Sequence, residues 1–265
     1  MERVHLEGKY SSWEKVISGI PQGSVLGPIL FVIFINDMPD MVSSMCQLFA
    51  DDAKLFSNVD NRDDSNIIKL QEDLDKLVEW SKKWQLPFNV KKCISLHIGR
   101  NNPWHQYKMD GKKLNQVYEE KDLGILMDNE LKFHKHTYAA VKNARRNLGI
   151  IKKTFSFLDA VTLTTLYQAL VRSHLEYGNV VWGPTYQGDI KATERVQRRA
   201  TKLVQGIKDL SYEDRLRSLQ LPSLCHRRRR GDMIYTYKLH NDKLGVDKKE
   251  FFASPPNQIV RGHQY

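Results

Sequence analysis

The stretch that most constrains the fold of this chain runs from Cys46 to Phe56: Cys-Gln-Leu-Phe-Ala-Asp-Asp-Ala-Lys-Leu-Phe. Apolar residues on both sides of a short acidic turn predict strand–turn–strand, with Asp51 and Asp52 at the tip. Two adjacent carboxylates repel each other, and a divalent cation between or beside them would relieve the repulsion. Asp-Asp is also a good turn former whose charges can simply face water. The hairpin alone leaves both readings open, and the segments around it bear on the choice.

Just upstream lies Gly19-Ile20-Pro21-Gln22-Gly23-Ser24-Val25-Leu26-Gly27-Pro28, three glycines and two prolines in ten residues. Gly23 lets a backbone or a flat ligand approach closely, and Gln22 offers an amide that both donates and accepts. Ser24 is placed to cap a helix running to about Met38, where Pro39 ends it. The loop reads either as a ligand-supporting turn or as a helix entry.

Residues 3–18 read as a short strand pair turning at Gly8-Lys9. From Asp64 to about Trp84, Ile67, Leu70, Leu74, Leu77, Val78 and Trp84 fall three or four apart. This predicts an amphipathic helix with Glu72, Asp73, Glu79 and Lys82 toward water. Ser95, His97 and Gly99 alternate with Ile94, Leu96 and Ile98, a strand with one buried face. Asp110-Gly111 marks a turn within a hairpin-like region from Tyr107 to Met127. Beyond Asp128 the pattern turns helical, with helices around 141–155, 160–171 and 190–204, the last ending at Gly206. Ser211 then opens a short capped helix, and a fifth spans Ser223 to His240. Ser254-Pro255-Pro256-Asn257 reads as extended. A mixed first half and a helical second half put a boundary near 128–135, an α+β chain overall.

In this order the motifs resemble the palm of a reverse transcriptase, of the non-LTR (LINE-type, jockey-like) retrotransposon kind. Residues 18–31 followed by Ile35-Asn36-Asp37-Met38-Pro39 are a near match to that family's second palm motif. Phe49-Ala50-Asp51-Asp52 matches its catalytic hairpin, with Phe where many members have Tyr. Phe88-Asn89-Val90-Lys91-Lys92-Cys93 resembles the later lysine motif, and Leu123-Gly124-Ile125 the strand motif that closes the palm. The helical half, including His174-Leu175-Glu176-Tyr177-Gly178 and Arg227–Asp232, resembles the thumb and downstream region. The resemblance implies a partial polymerase palm over 1–128, an antiparallel sheet with helices, and an all-α, basic, thumb-like region over 129–265.

The resemblance also implies roles. The family reaction is RNA-templated DNA synthesis from a DNA primer and deoxynucleoside triphosphates by two-metal-ion nucleotidyl transfer, using Mg2+ or Mn2+. Asp51 is then the direct metal ligand and Asp52 the weaker or indirect one. Ala50 lies near the primer end, where a small side chain leaves room. Gln22 and Gly23 support the template base and incoming nucleotide. Lys92 is the candidate proton donor to pyrophosphate, with the adjacent Lys91 not separable from it by sequence. Asp37, at the end of the post-loop helix, matches a structural position. The family pattern has a further aspartate on a strand well upstream of the loop. The residues before Gly19 hold only Glu2, Glu7 and Glu14 as acids, in the strand pair next to the loop. The sequence-level expectation is therefore a chain cut at both ends relative to the family, binding metal weakly and inactive as a polymerase by itself. No endonuclease motif is visible.

The 265 residues suffice for one large domain or two modest ones, and the net charge of +10 favours an anionic partner, nucleic acid before a membrane surface. Between Lys191 and Arg230 twelve Lys and Arg face four Asp and Glu, so the excess is concentrated there. Arg195, Arg198, Arg199 and Lys202 fall on one side of the third helix, opposite Val196, Leu203 and Val204. They are the candidate contacts to a nucleic-acid backbone. Arg227–Arg230 also has the composition of a nuclear-localisation signal. Trp182 and Tyr186 read as core or loop anchors rather than base-stacking groups. Cys46, Cys93 and Cys225 are scattered, without Cys-x-x-Cys pairing, which fits a reducing intracellular setting, nuclear or cytoplasmic, rather than a secreted disulfide framework. No apolar stretch approaches the ~20 residues that span a bilayer. Oligomeric state is open. The alternative to a polymerase fragment is a non-catalytic nucleic-acid-binding remnant of a mobile element. A structural protein that reuses the scaffold is a weaker third reading.

Overall fold

A computed structural model describes residues 3–15, 23–60 and 62–252. The chain divides into two compact units, one ending at Tyr118 and the other beginning at Glu119. Strand and helix content is mixed in the first unit, and the second is mostly helical.

The first unit opens with β1 (His5–Leu6) and β2 (Lys9–Tyr10), paired antiparallel. Their turn residues are Glu7 and Gly8, one position earlier than Gly8-Lys9, because both adopt positive φ as a two-residue hairpin turn requires. Helix α1 (Leu26–Ile35) follows, with Ser24 Oγ accepting the Gly27 N–H at 3.0 Å, the expected cap. It stops short of Met38, and the chain turns through a 3-10 segment at Pro39–Met41. The hairpin β3 (Met45–Phe49) and β4 (Asp52–Phe56) comes next, then α2 (Ser65–Lys83). A parallel pair, β5 (Ile94–Leu96) with β8 (Asn115–Val117), brackets the hairpin β6 (Lys108–Met109) and β7 (Lys112–Lys113), which turns at Asp110-Gly111 as expected.

The core of this unit gathers Ile35 and Met38 with Ile67, Leu77 and Trp80 of α2, and with Tyr107, Met109 and Leu114. Two sequence expectations change here. Asp73 is fully buried rather than solvent-facing, because it lies three residues after Leu70 and four before Leu77, on the inward stripe of α2. In the stretch after β5 the buried side chain is His97, not Ile98. The ring packs 5.0 Å from Trp104 and 6.1 Å from Tyr107, and Nδ1 bonds Asn102 at 2.8 Å. Helix α1 is apolar along its length, yet only Ile35 is buried, and Ile29, Val32 and Ile33 stay more than half exposed. In place of the single antiparallel sheet that the resemblance implies, the described residues hold separate two-stranded pairs, four antiparallel and one parallel, and no third strand among them joins any pair.

The second unit begins with the hairpin β9 (Glu119–Asp122) and β10 (Ile125–Asp128). This hairpin packs with the helices because Ile125 and Met127 sit against Ala140 and Trp182. Helix α3 (His134–Thr154) is the spine. The expected second helix is in three pieces: α4 (Ala160–Leu166), a π-helical turn at Tyr167–Arg172, and α5 (Ser173–Glu176). Tyr167 and Val171 are both buried in the core, where Tyr167 donates to Gln197 at 2.6 Å. A short α6 (Asn179–Trp182), not foreseen, precedes α7 (Gln187–Thr201). Helix α7 ends before Gly206, which takes its positive φ in the turns beyond. Helices α8 (Tyr212–Ser218) and α9 (Leu224–His240) start at Ser211, the expected cap, and at Ser223, whose side chain also caps its helix. The segment 254–257 lies outside the described residues.

Two motifs of the helical half meet here. Tyr177 donates its hydroxyl to the Leu123 carbonyl at 2.9 Å, and Glu176 receives both Nε and Nη2 of Arg227. Gly178, at φ +64°, leaves space where a Cβ would stand 2.6 Å from Ile125 Cδ1. These residues bind the β9–β10 turn and α9 to the helical core.

Candidate active site

The β3–β4 hairpin pairs Phe49 with Asp52, Leu48 with Ala53 and Cys46 with Leu55, leaving Ala50 and Asp51 as a two-residue turn. Alternation sends Leu48, Ala53 and Leu55 onto the core of the first unit and leaves Phe49 and Asp52 on the outer face. Asp51 and Asp52 are both exposed, and neither side chain has a hydrogen bond or ion pair among the described residues. Their carboxylate oxygens are therefore open to ligate a cation.

The turn itself is strained. At Asp110-Gly111 and Leu123-Gly124 the second turn residue is glycine and both positions have positive φ, whereas here Ala50 alone does, at +51°. That conformation costs an L-residue about 1–2 kcal/mol, here as at Glu7, Asp110 and Leu123 in the other tight turns. The opposite end of the hairpin is pinned. Buried Asp73 accepts the Ser43 N–H at 3.1 Å, the Ser44 N–H at 2.7 Å and Lys76 Nζ at 2.8 Å, just before β3 begins. Burial pushes the Asp73 carboxyl up, but the bonds from Lys76, Ser43 and Ser44 outweigh it and hold the group well below the usual carboxylate range. Asp37 accepts the indole N–H of Trp80 at 3.0 Å, a structural role that ties the exit of α1 to α2.

The remaining expected positions are placed as follows. Gly23 stands in a turn at φ +83° with open space where a Cβ would go. Gln22 lies outside the described residues. Lys91 and Lys92 are exposed neighbours in the turn leading into β5, with nothing to separate their roles. In the second unit Arg195, Arg198, Arg199 and Lys202 are all exposed, while Val196, Ala200 and Val204 are buried on the opposite side of α7 and its exit. Glu194 lines one recess with Arg195 and Arg198. It accepts from the Tyr212 hydroxyl and from the Leu224 and Cys225 N–H groups at 3.4 and 3.3 Å. The Arg227–Arg230 run is split: Arg227 pairs with Glu176, Arg228 is half-buried beside Thr193, and only Arg229 and Arg230 are exposed. Trp182 is buried and donates to the Tyr177 carbonyl at 2.5 Å, while Tyr186 packs on His134, so both are anchors as expected. Sequence reasoning missed Asp73 as the clamp of the hairpin, although its place on the stripe of α2 was a usable signal.

Two adjacent, unpartnered carboxylates on a tight hairpin are a hard-oxygen donor pair suited to a divalent cation. The chain belongs to the reverse transcriptase (RNA-dependent DNA polymerase) family, whose sequence model matches residues 3–158. It is similar to polymerases of non-LTR mobile elements. It is 24% identical over 238 residues to the RNA-directed DNA polymerase from mobile element jockey of Drosophila melanogaster, covering 83% of this chain and 25% of that protein. It is 26% identical to the probable RNA-directed DNA polymerase from transposon X-element of the same species, covering 77% of this chain and 23% of the relative. For the probable enzyme from transposon BS, also of Drosophila melanogaster, the figures are 28%, 76% and 24%. The chain thus spans about a quarter of the length of these relatives. No solved structure matches it. The family uses divalent metal ions. Among the described residues, no helix is long and apolar enough to cross a membrane.

Proposed function

We propose that this chain carries the hairpin part of the catalytic centre of an RNA-templated DNA polymerase, acting on an RNA template, a DNA primer and deoxynucleoside triphosphates. The observation that carries the reading is the pair of exposed carboxylates Asp51 and Asp52, whose side chains have no partner among the described residues, on a two-residue hairpin turn within the span that matches the family. Residues 1–128 correspond in this reading to a partial palm and 129–265 to a thumb-like region.

Asp51 is the direct ligand for Mg2+ or Mn2+ and Asp52 the indirect one. Bound divalent ions would supply charge neutralisation at the transferring phosphoryl group and activation of a 3′-hydroxyl. The chain's own residues do the rest. Ala50, with one methyl at the turn, keeps the space beside the primer end open. Gln22 and Gly23 support the template base and the incoming nucleotide. Lys92, or its neighbour Lys91, hands a proton to the departing pyrophosphate. Arg195, Arg198, Arg199 and Lys202 track the phosphate backbone.

Two ions need more oxygen ligands than two carboxylates supply, and the described residues gather no cluster of three or more His, Cys, Asp or Glu side chains. In this reading the carboxylate pair by itself holds the ions weakly, and the chain alone does not extend a primer. Primer extension on an RNA template with magnesium tests it. No extension is expected, and extension abolished by Asp51→Ala would overturn the claim of inactivity while upholding the site. The second reading, nucleic-acid binding without catalysis, draws on the local excess of positive charge between Lys191 and Arg230.

A further inference from the structure

The exposed cations of α7 do not form a flat stripe. Arg195, Arg198, Arg199 and Lys202 line a cleft of ≈ 430 Å³ together with Tyr212 and Arg215 of α8. Arg215 is only 4% exposed. Its Nε donates to Thr201 Oγ1 at 3.0 Å and its Nη1 to the Leu210 carbonyl, both neutral acceptors. Among the described residues no carboxylate forms an ion pair with it. A guanidinium taken out of water without a counter-charge is costly, and here four more cations share its cleft.

Among the described residues none of the acids nearby forms an ion pair with a cation of this cleft. Glu194 is committed to the Tyr212 hydroxyl and the first N–H groups of α9. Asp214 binds Ser211 and Arg217. Glu213 lines only the adjoining cleft toward α9, not this one. The ring of Tyr212 lies 4.3 Å from the Arg198 guanidinium carbon and 5.7 Å from that of Arg215, so one aromatic surface holds both groups in place. Planar guanidinium forks held in advance suit the oxygens of a phosphate.

We propose that the cleft between α7 and α8 is a seat for backbone phosphates of a nucleic acid, with Arg198 and Arg215 pre-positioned by Tyr212. This rests on the nucleic-acid reading above and sharpens it, because it adds Arg215 and Tyr212 and makes the contact a built site rather than a charged surface. The phosphodiester backbone is preferred to an anionic membrane because the cations surround a recess instead of spreading over a plane.

The test is fluorescence anisotropy of a labelled RNA–DNA hybrid duplex with the whole chain over a potassium chloride series. Arg195→Gln, Arg198→Gln, Arg199→Gln and Lys202→Gln together should flatten the slope of log affinity against log salt by about 3–4, near one for each phosphate no longer neutralised. A charge-matched control changing Lys69, Lys83, Lys112 and Lys113 to Gln should flatten it less. Tyr212→Leu should weaken binding and Tyr212→Phe, which keeps the ring, should not. Arg215→Met should weaken binding further; its side chain is buried, and if that variant unfolds the exposed quadruple variant decides. Steep, salt-dependent binding by the unaltered chain that the quadruple variant shares with the control would overturn the seat and leave the nucleic-acid reading standing. No duplex binding by the unaltered chain would overturn both. A quadruple variant that loses binding to phosphatidylserine vesicles while duplex binding stays intact would overturn the seat in favour of a membrane surface.

Discussion

Asp73 Oδ2 accepts the Ser44 N–H at 2.7 Å, so a side chain in the middle of α2 fixes the point where the chain enters the hairpin that ends in Asp51 and Asp52. Asp73→Ala removes the acceptor that Ser43, Ser44 and Lys76 share, at about 1.5–3 kcal/mol for a hydrogen bond to a charged group. The expected outcome in urea unfolding is a clear loss of stability. Because the folded carboxyl sits below its ordinary value of 3.8, its contribution is complete above that pH and is lost as pH falls through the folded value. The acid limb of the unfolding curve should therefore flatten in Asp73→Asn.

His136 provides a second pH dependence, nearer neutrality. Its Nδ1 accepts the Leu126 N–H at 3.1 Å, so the ring is neutral, and burial first, then the charge of Lys121, pushes its pKa below 6.5. A depressed folded value means the stabilisation is present above 6.5 and falls away as pH drops from there toward the folded value. Denaturation midpoints should fall between pH 7.5 and 5.5, on the order of the window set by an ordinary histidine, and His136→Gln should reduce that fall.

Ala50 makes the strain of the turn measurable. Ala50→Gly should stabilise the hairpin by up to about 1–2 kcal/mol, the cost of a left-handed L-residue. Ala50→Val, β-branched at φ +51°, should destabilise it. Equal stability in all three proteins, read by urea denaturation, would show that the turn carries no strain.

Helix α1 yields a prediction about association. A helix apolar on all sides belongs in an interior, yet Ile29 and Ile33 are 53% and 67% exposed. Replacing both with Glu should lower the fluorescence of a hydrophobic dye and shift sedimentation toward monomer, with little loss of thermal stability.

The local elements were largely readable because they rest on short-range physics: the 3–4 spacing of α2, the serine caps at 24 and 211, and the Asp-Gly turn at 110. What escaped depends on long-range contact. The charge of Asp73 points to a solvent-facing side chain, although position 73 lies on the apolar stripe. The π-helical turn at Tyr167 has no local signature and coincides with the Tyr167–Gln197 bond across thirty residues. The carboxylate pair, the lysine turn and the basic face of α7 were legible as motifs. The burial of Arg215 beside that face was not, since its counterpart Thr201 lies on another helix.

The central claim is that Asp51 and Asp52 form a divalent-cation site, and Mn2+ titration followed by electron paramagnetic resonance tests it directly. The account predicts bound Mn2+ that magnesium displaces and that disappears in Asp51→Asn with Asp52→Asn. Mn2+ binding of the same extent in that double variant would contradict it.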